Sequence, residues 1–160
     1  MFVAKTTNTI MQYNEVSGVQ THVADGEAYD IDLLTSNTVV QYNYSHDNQG
    51  GAFLLMGGNF SGTGGVVRYN LSVNDAFAAN GVFTLSSGLM SGVNIYNNTV
   101  YIAPGLNAHP TYQEGWSGDN NNSWYFRNNV VVNLGTGTWV QPKGTGTVIS
   151  NNLIYGNHTA

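Results

Sequence analysis

The chain of 160 residues contains no cysteine, which rules out a disulfide framework and a thiolate metal site. Charge is scarce: 8% of residues are charged, against about a quarter in an ordinary domain. Only Lys5, Arg68, Arg127 and Lys143 are basic, and the net charge is −5. Nucleic-acid binding needs a clustered basic footprint, which this composition lacks, and a strongly anionic polymer is disfavoured for the same reason. No run approaches the roughly 18 apolar residues of a membrane-spanning helix. The first residues hold no apolar core of a signal peptide. The expectation is a single domain over 1–160 with no nucleic-acid or membrane partner, read as a mature or excised segment of a longer secreted or extracellular protein.

What the chain does contain is a repeat. Asn14, Asn43, Asn70, Asn98, Asn129 and Asn152 each sit in the same local pattern. The residue three before is apolar: Met11, Val40, Val67, Ile95, Phe126, Ile149. The residue two before is mostly polar, as in Gln12, Gln41, Arg68, Tyr96, Arg127 and Ser150, and the residue two after is small or apolar. A near-constant period in this range marks a solenoid. Apolar positions that alternate every second residue make each repeat a β rung. The expected fold is all-β: a parallel β-solenoid of about six rungs with few or no helices.

The asparagines have a structural explanation. Asn tolerates the left-handed conformation of a tight turn. Stacked about 4.8 Å apart, its amides can bond up the stack, each donating to one neighbour and accepting from the other. A second column aligns Tyr29, Phe53 and Phe83, and Ile31, Leu55 and Leu85, as inward stacks. Asp30, Asp32, Leu54, Met56, Thr84 and Ser86 then face outward, onto what is expected to be an open face. The longest irregular insertion, 104–123, includes His109, Tyr112, Glu114, Trp116 and Asp119. Uncapped terminal rungs leave unpaired strand edges, so self-association through the solenoid ends is expected.

Nine residues are acidic, and Glu15, Asp25, Glu27, Asp30, Asp32 and Asp47 crowd the first third of the chain together with His22 and His46. Crowded carboxylates raise at least one pKa, the condition a general acid needs. Asp30 and Asp32 lie two apart on one strand, about 6.5–7 Å between Cα atoms. Paired glycosidase carboxylates stand about 5–5.5 Å apart for retention and about 6.5–9.5 Å for inversion. The catalytic candidates are therefore Asp30 and Asp32, with His46 and Asp47 as a second wall. Asp25 and Glu27 add hard oxygens suited to calcium, although no cofactor is required. The outward column Gln41, Arg68, Tyr96 and Arg127, with Trp116 from the insertion, suits a long polymer such as a polysaccharide.

The stretch Asp25-Gly-Glu-Ala-Tyr-Asp-Ile-Asp32, followed by Asn37-Thr-Val-Val-Gln-Tyr-Asn43 and Tyr44-Ser-His-Asp-Asn-Gln-Gly-Gly51, resembles the right-handed parallel β-helix repeat proteins found among bacterial secreted carbohydrate-active enzymes. That resemblance implies a right-handed β-helix acting on polysaccharide, as a glycoside hydrolase or, second, a polysaccharide lyase. A non-catalytic glycan-binding or structural β-helix segment, or a truncated piece of a lyase, is the alternative.

Overall fold

The computed structural model describes residues 1–21, 25–57, 61–78, 80–86, 89–113, 124–140 and 146–158. Among them every regular element is a strand, and every strand pairing is parallel. The chain is a β-solenoid with three main sheets. The first stacks Ile10–Gln12, Val39–Gln41, Val66–Arg68, Val93–Tyr96, Trp124–Arg127 and Val148–Ser150. The second stacks Glu15–Ser17, Tyr44–His46, Leu71–Val73, Thr99–Ile102, Val130–Asn133 and Leu153–Gly156. The third stacks Phe2–Val3, Tyr29–Ile31, Phe53–Leu55, Gly81–Leu85 and His109–Gln113. Among the described residues four turns contribute a strand to all three sheets, and partial turns flank them, so the count of full rungs is lower than the six asparagines suggest. A smaller sheet pairs Ser61–Thr63 with Leu89–Ser91.

The registers follow the repeat. Met11, Val40, Val67, Ile95, Phe126 and Ile149 align as Cα partners from one strand to the next. The first five are buried, and Ile149, at the last strand of the sheet, is exposed. Across the core, Tyr29, Phe53 and Phe83 stack with centroids 5.7 and 5.1 Å apart. Phe126 closes the core edge-on against Phe83 at 5.5 Å and against Trp139 at 5.3 Å. The buried inward positions of the second sheet pass from Ser45 and Ser72 to Val100 and Val131 along one register column.

The asparagine column is a continuous amide ladder inside the corner between the first and second sheets. The Nδ2 group of Asn43 donates to Asn70 Oδ1 at 3.1 Å and to the Met11 carbonyl at 3.0 Å. Its backbone N–H also donates to Asn70 Oδ1, at 3.0 Å. The same pattern repeats at Asn70 and Asn98, and ends with Asn129 donating to Asn152. Every rung thereby satisfies buried polar groups that would otherwise cost about 1–3 kcal/mol each.

The turn itself corrects an expectation. The ladder asparagines do not carry the left-handed conformation; the residue before each one does. Tyr13, Tyr42, Tyr69, Asn97, Asn128 and Asn151 have φ of 57, 55, 55, 56, 55 and 55°. The physical reason is a division of labour: the left-handed residue reverses the chain and points out, so the next residue points in and its amide joins the ladder. The insertion is also shorter than expected, because His109–Gln113 is a strand of the third sheet paired with Gly81–Leu85.

Asn70→Asp tests the ladder. The carboxylate still accepts from Asn43, but it cannot donate to the Val40 carbonyl or to Asn98 Oδ1, which it would repel. A loss of about 2–4 kcal/mol is expected in chemical denaturation. A variant as stable as the wild type would show that the ladder contributes nothing to stability.

Candidate functional site

Asp30 lies on the third sheet, in register with Phe2 on one side and Leu54 on the other. The face it occupies is not open as expected. Leu54, Met56, Thr84 and Ser86 are all buried, and Asp30 is half-buried. Strand alternation sets which way a side chain points, and carries no information on what covers it. The remaining space is a pocket of about 380 Å³ lined by Phe2, Asp25, Asp30, Asp32, Leu33, Leu54 and Met56. Apolar walls and carboxylates share it.

Within this pocket Asp30 Oδ1 is shielded from water and has no hydrogen-bond partner among the described residues. The Asp30 carboxyl is pushed up to about 8, chiefly by burial and then by the charges of Asp32, Glu27 and Asp25. Asp32 is held differently: its Oδ1 accepts the Leu33 backbone N–H at 2.6 Å. The strand thus presents an acid that keeps its proton at neutral pH beside a second carboxyl group. Glu27 is buried, and its Oε1 accepts from Asn80 Nδ2 at 2.8 Å, so it reaches across to the second rung beyond its own while Asp25 lines the pocket. No three carboxylate or imidazole groups among the described residues converge as a metal-binding cluster.

His46 and Asp47 are not brought to Asp30 and Asp32. His46 is a strand residue of the second sheet, and Asp47 follows it with a φ of 54°. His46 Nε2 lies 3.1 Å from Glu15 Oε1, and Nδ1 lies 2.8 Å from Asp47 Oδ2. The ring also stacks on Tyr44 at 4.5 Å. Hydrogen bonds to Asp47 and then Glu15 raise its pKa, so the imidazole favours its charged form between two carboxylates. The physical reason for the misplacement is that Asp30 and His46 lie on strands of different sheets. His22 and Trp116 lie outside the described residues.

The outward polar column is one connected ladder. Gln41 Nε2 donates to Gln12 Oε1 at 2.8 Å, Arg68 Nε to Gln41 Oε1 at 2.8 Å, and Arg68 to the Tyr96 hydroxyl at 2.8 Å. Arg127 sits over the Tyr96 ring at 5.5 Å and donates to Asn94 Oδ1 at 3.2 Å. Gln41, Arg68, Tyr96 and Arg127 are therefore together on the first sheet, away from the Asp30 strand. Their polar groups already serve one another.

One set of residues escapes the alternation reading. Tyr13, Tyr42 and Tyr69, each just before a ladder asparagine, form an external stack. Tyr13 and Tyr42 are 5.4 Å apart and 8° from parallel, and Tyr42 and Tyr69 are 5.2 Å apart and 6° from parallel. They wall a groove of about 750 Å³ that follows the asparagine corner. The repeated Gln-Tyr-Asn in the first two rungs and Arg-Tyr-Asn in the third was the available signal. A left-handed conformation costs a non-glycine residue about 1–2 kcal/mol, and asparagine tolerates it best. The same backbone recurs at Lys5, Leu34, Asp47 and Ala76, so the conformation belongs to the solenoid's turns; what sets the three tyrosines apart is that their exposed rings stack.

A second acid is buried outside either site. Asp75 is fully buried and accepts from Ser72 Oγ at 2.6 Å and from Asn48 Nδ2 at 2.7 Å. Burial raises its pKa, against the opposing effect of these hydrogen bonds. An acid whose folded pKa lies above its unfolded value contributes stability below the unfolded pKa, and that stability is lost as pH rises through the folded one. Asp75→Asn, which cannot ionise, is expected to melt higher than the wild type at pH ~7, with the gap closing below the usual carboxylate range. Thermal unfolding at several pH values checks this; a gap that is constant with pH, or reversed, would contradict it.

Comparison of the chain with protein-family models, with curated proteins and with solved structures gave no match, so its function rests on the geometry of these sites.

Proposed function

We propose that this β-solenoid is carbohydrate-active and hydrolyses a polysaccharide at Asp30 and Asp32. The observation that carries the reading is the Asp30 carboxyl, poised near neutral pH beside Asp32 in a pocket of about 380 Å³. Asp30 serves as general acid and protonates the glycosidic oxygen as the bond breaks. Asp32, held by the Leu33 N–H, serves as the carboxylate that activates water or attacks the sugar. Splitting the properties of two adjacent carboxyl groups is how one strand supplies both an acid and a base.

The test is a reducing-sugar screen over neutral and acidic polysaccharides, with and without chelator. Hydrolysis predicts new reducing ends without the ultraviolet absorbance of an unsaturated uronate, and no effect of chelator. Unsaturated products would indicate a lyase. Loss of activity on chelation would indicate a required divalent cation such as calcium, and loss of that sensitivity in Asp25→Asn would place it at the pocket. No turnover on any glycan would favour the second reading, a non-catalytic glycan-binding solenoid, which the tyrosine-walled groove supports. Secretion, and self-association through the outermost strands, belong to the same proposal; sedimentation over a wide concentration range tests the latter.

A further inference from the structure

We infer that the groove along the asparagine corner is a second glycan site, separate from the Asp30 pocket, that holds an extended neutral 1,4-linked glycan parallel to the solenoid axis with one sugar per rung. That the occupant is a glycan rests on the reading above; that the groove is a ligand site does not.

The groove runs over four successive turns, from Tyr13 through Tyr42 and Tyr69 to Asn97. Its opposite wall is Glu15, Tyr44, Leu71 and Thr99, which are strand partners in the second sheet. Both walls therefore repeat at the strand spacing of about 4.8 Å. That spacing is close to the length one pyranose unit occupies along an extended 1,4-linked chain, so a glycan laid in the groove meets a tyrosine edge at three successive sugars, while the opposite wall changes from Glu15 to Tyr44, Leu71 and Thr99.

The tyrosines are not there to fill the core. Their relative exposures are 74, 44 and 43% for Tyr13, Tyr42 and Tyr69. The next rungs place Asn97, Asn128 and Asn151 at the same position with the same left-handed backbone. Asparagine thus meets the conformational need, and the aromatic ring is an addition confined to the groove. Stacking covers the ring faces with one another, so a ligand along the groove meets ring edges and phenolic hydroxyls, which donate and accept hydrogen bonds as sugar hydroxyls require.

Charge narrows the ligand class. Among the described residues Glu15 is the one Asp, Glu, Lys or Arg in the lining, and His46 Nε2 lies 3.1 Å from its Oε1. No Lys or Arg among the described residues lines the groove. The Arg68 guanidinium lies 5.8 Å from the Tyr69 ring centroid but donates to Gln41 and Tyr96, and His46 is engaged by Glu15 and Asp47, so both cations near the groove are already paired, whereas Glu15 offers a neutral glycan an acceptor for its hydroxyls.

Isothermal titration calorimetry with cello-, xylo- and manno-oligosaccharides tests the inference, carried out in the Asp30→Asn background so that ligand is not consumed. At least one series should bind, with affinity rising with chain length until the ligand fills the four rungs of the groove. Tyr13→Asn, Tyr42→Asn and Tyr69→Asn install the residue that Asn97 shows the backbone accepts, so each should keep the wild-type melting profile. Each should weaken binding roughly tenfold or more. Binding unchanged in all three variants would overturn the inference and place the ligand elsewhere. Absence of binding in every series would overturn it as well. Groove binding without hydrolysis by the wild type would remove the Asp30 mechanism and leave the groove standing.

Discussion

Val67→Asp is expected to unfold the protein or bring it to the edge of unfolding. Val67 is fully buried, in register between Val40 and Ile95 in the first sheet. A carboxylate there faces an aliphatic column. Leaving a buried charge without a partner costs about 3–5 kcal/mol, a large share of the roughly 5–15 kcal/mol that holds a domain together. Protonation relieves part of the penalty, so the variant should recover stability on acidification. The informative control is Val66→Asp, one residue earlier and pointing out. It should stay within about 1 kcal/mol of the wild type. Chemical denaturation of the two variants reads strand alternation directly, and equal stabilities would mean that Val67 does not face a dry core.

The second large effect concerns chemistry. Asp30→Asn and Asp32→Asn should each reduce polysaccharide cleavage by at least about 10²–10⁴-fold, the usual contribution of a positioned acid or base. Asp30→Asn separates that loss from damage to the fold. In the wild type the Asp30 carboxyl rises from an ordinary value of 3.8 to about 8. The folded state therefore binds this proton more tightly, and the associated stability is lost as pH climbs from about 4 to about 8. The amide variant lacks that slope, so at neutral pH it should be at least as stable as the wild type while inactive. An inactive variant that is also unfolded would carry no information on catalysis; a stable and active one would remove Asp30 from the mechanism.

The path from sequence to structure was uneven for physical reasons. The column from Met11 to Ile149, the aromatic stack of Tyr29, Phe53 and Phe83, and the asparagine ladder follow from a period-two pattern repeated rung by rung, and each appears in the expected register. Repetition makes these features legible, because every rung repeats the same inference. The rung count was less so: an asparagine marks one corner of a turn, and does not guarantee strands at the other two. Alternation places Leu54 and Met56 on the outward face of the third sheet but does not encode their burial. His46 and Asp47 were grouped with Asp30 by proximity along the chain, yet a corner separates their sheets. The tyrosine groove is not legible from strand alternation, because its tyrosines sit in the turn and not in a strand. The distinguishing signal was the change from tyrosine to asparagine at a single backbone position, visible only once the left-handed conformation is assigned to the residue before the ladder.

The most direct test of the proposed activity is the pH profile of reducing-end release, measured for the wild type and Asp30→Asn in parallel on the same polysaccharides. The wild type should cleave at least one of them, with activity falling as pH passes about 8 and Asp30 loses its proton. Asp30→Asn should show the wild-type fold and no such activity at any pH. Cleavage by both proteins with one common profile, or by neither on any polysaccharide, would contradict a hydrolytic role for this pair.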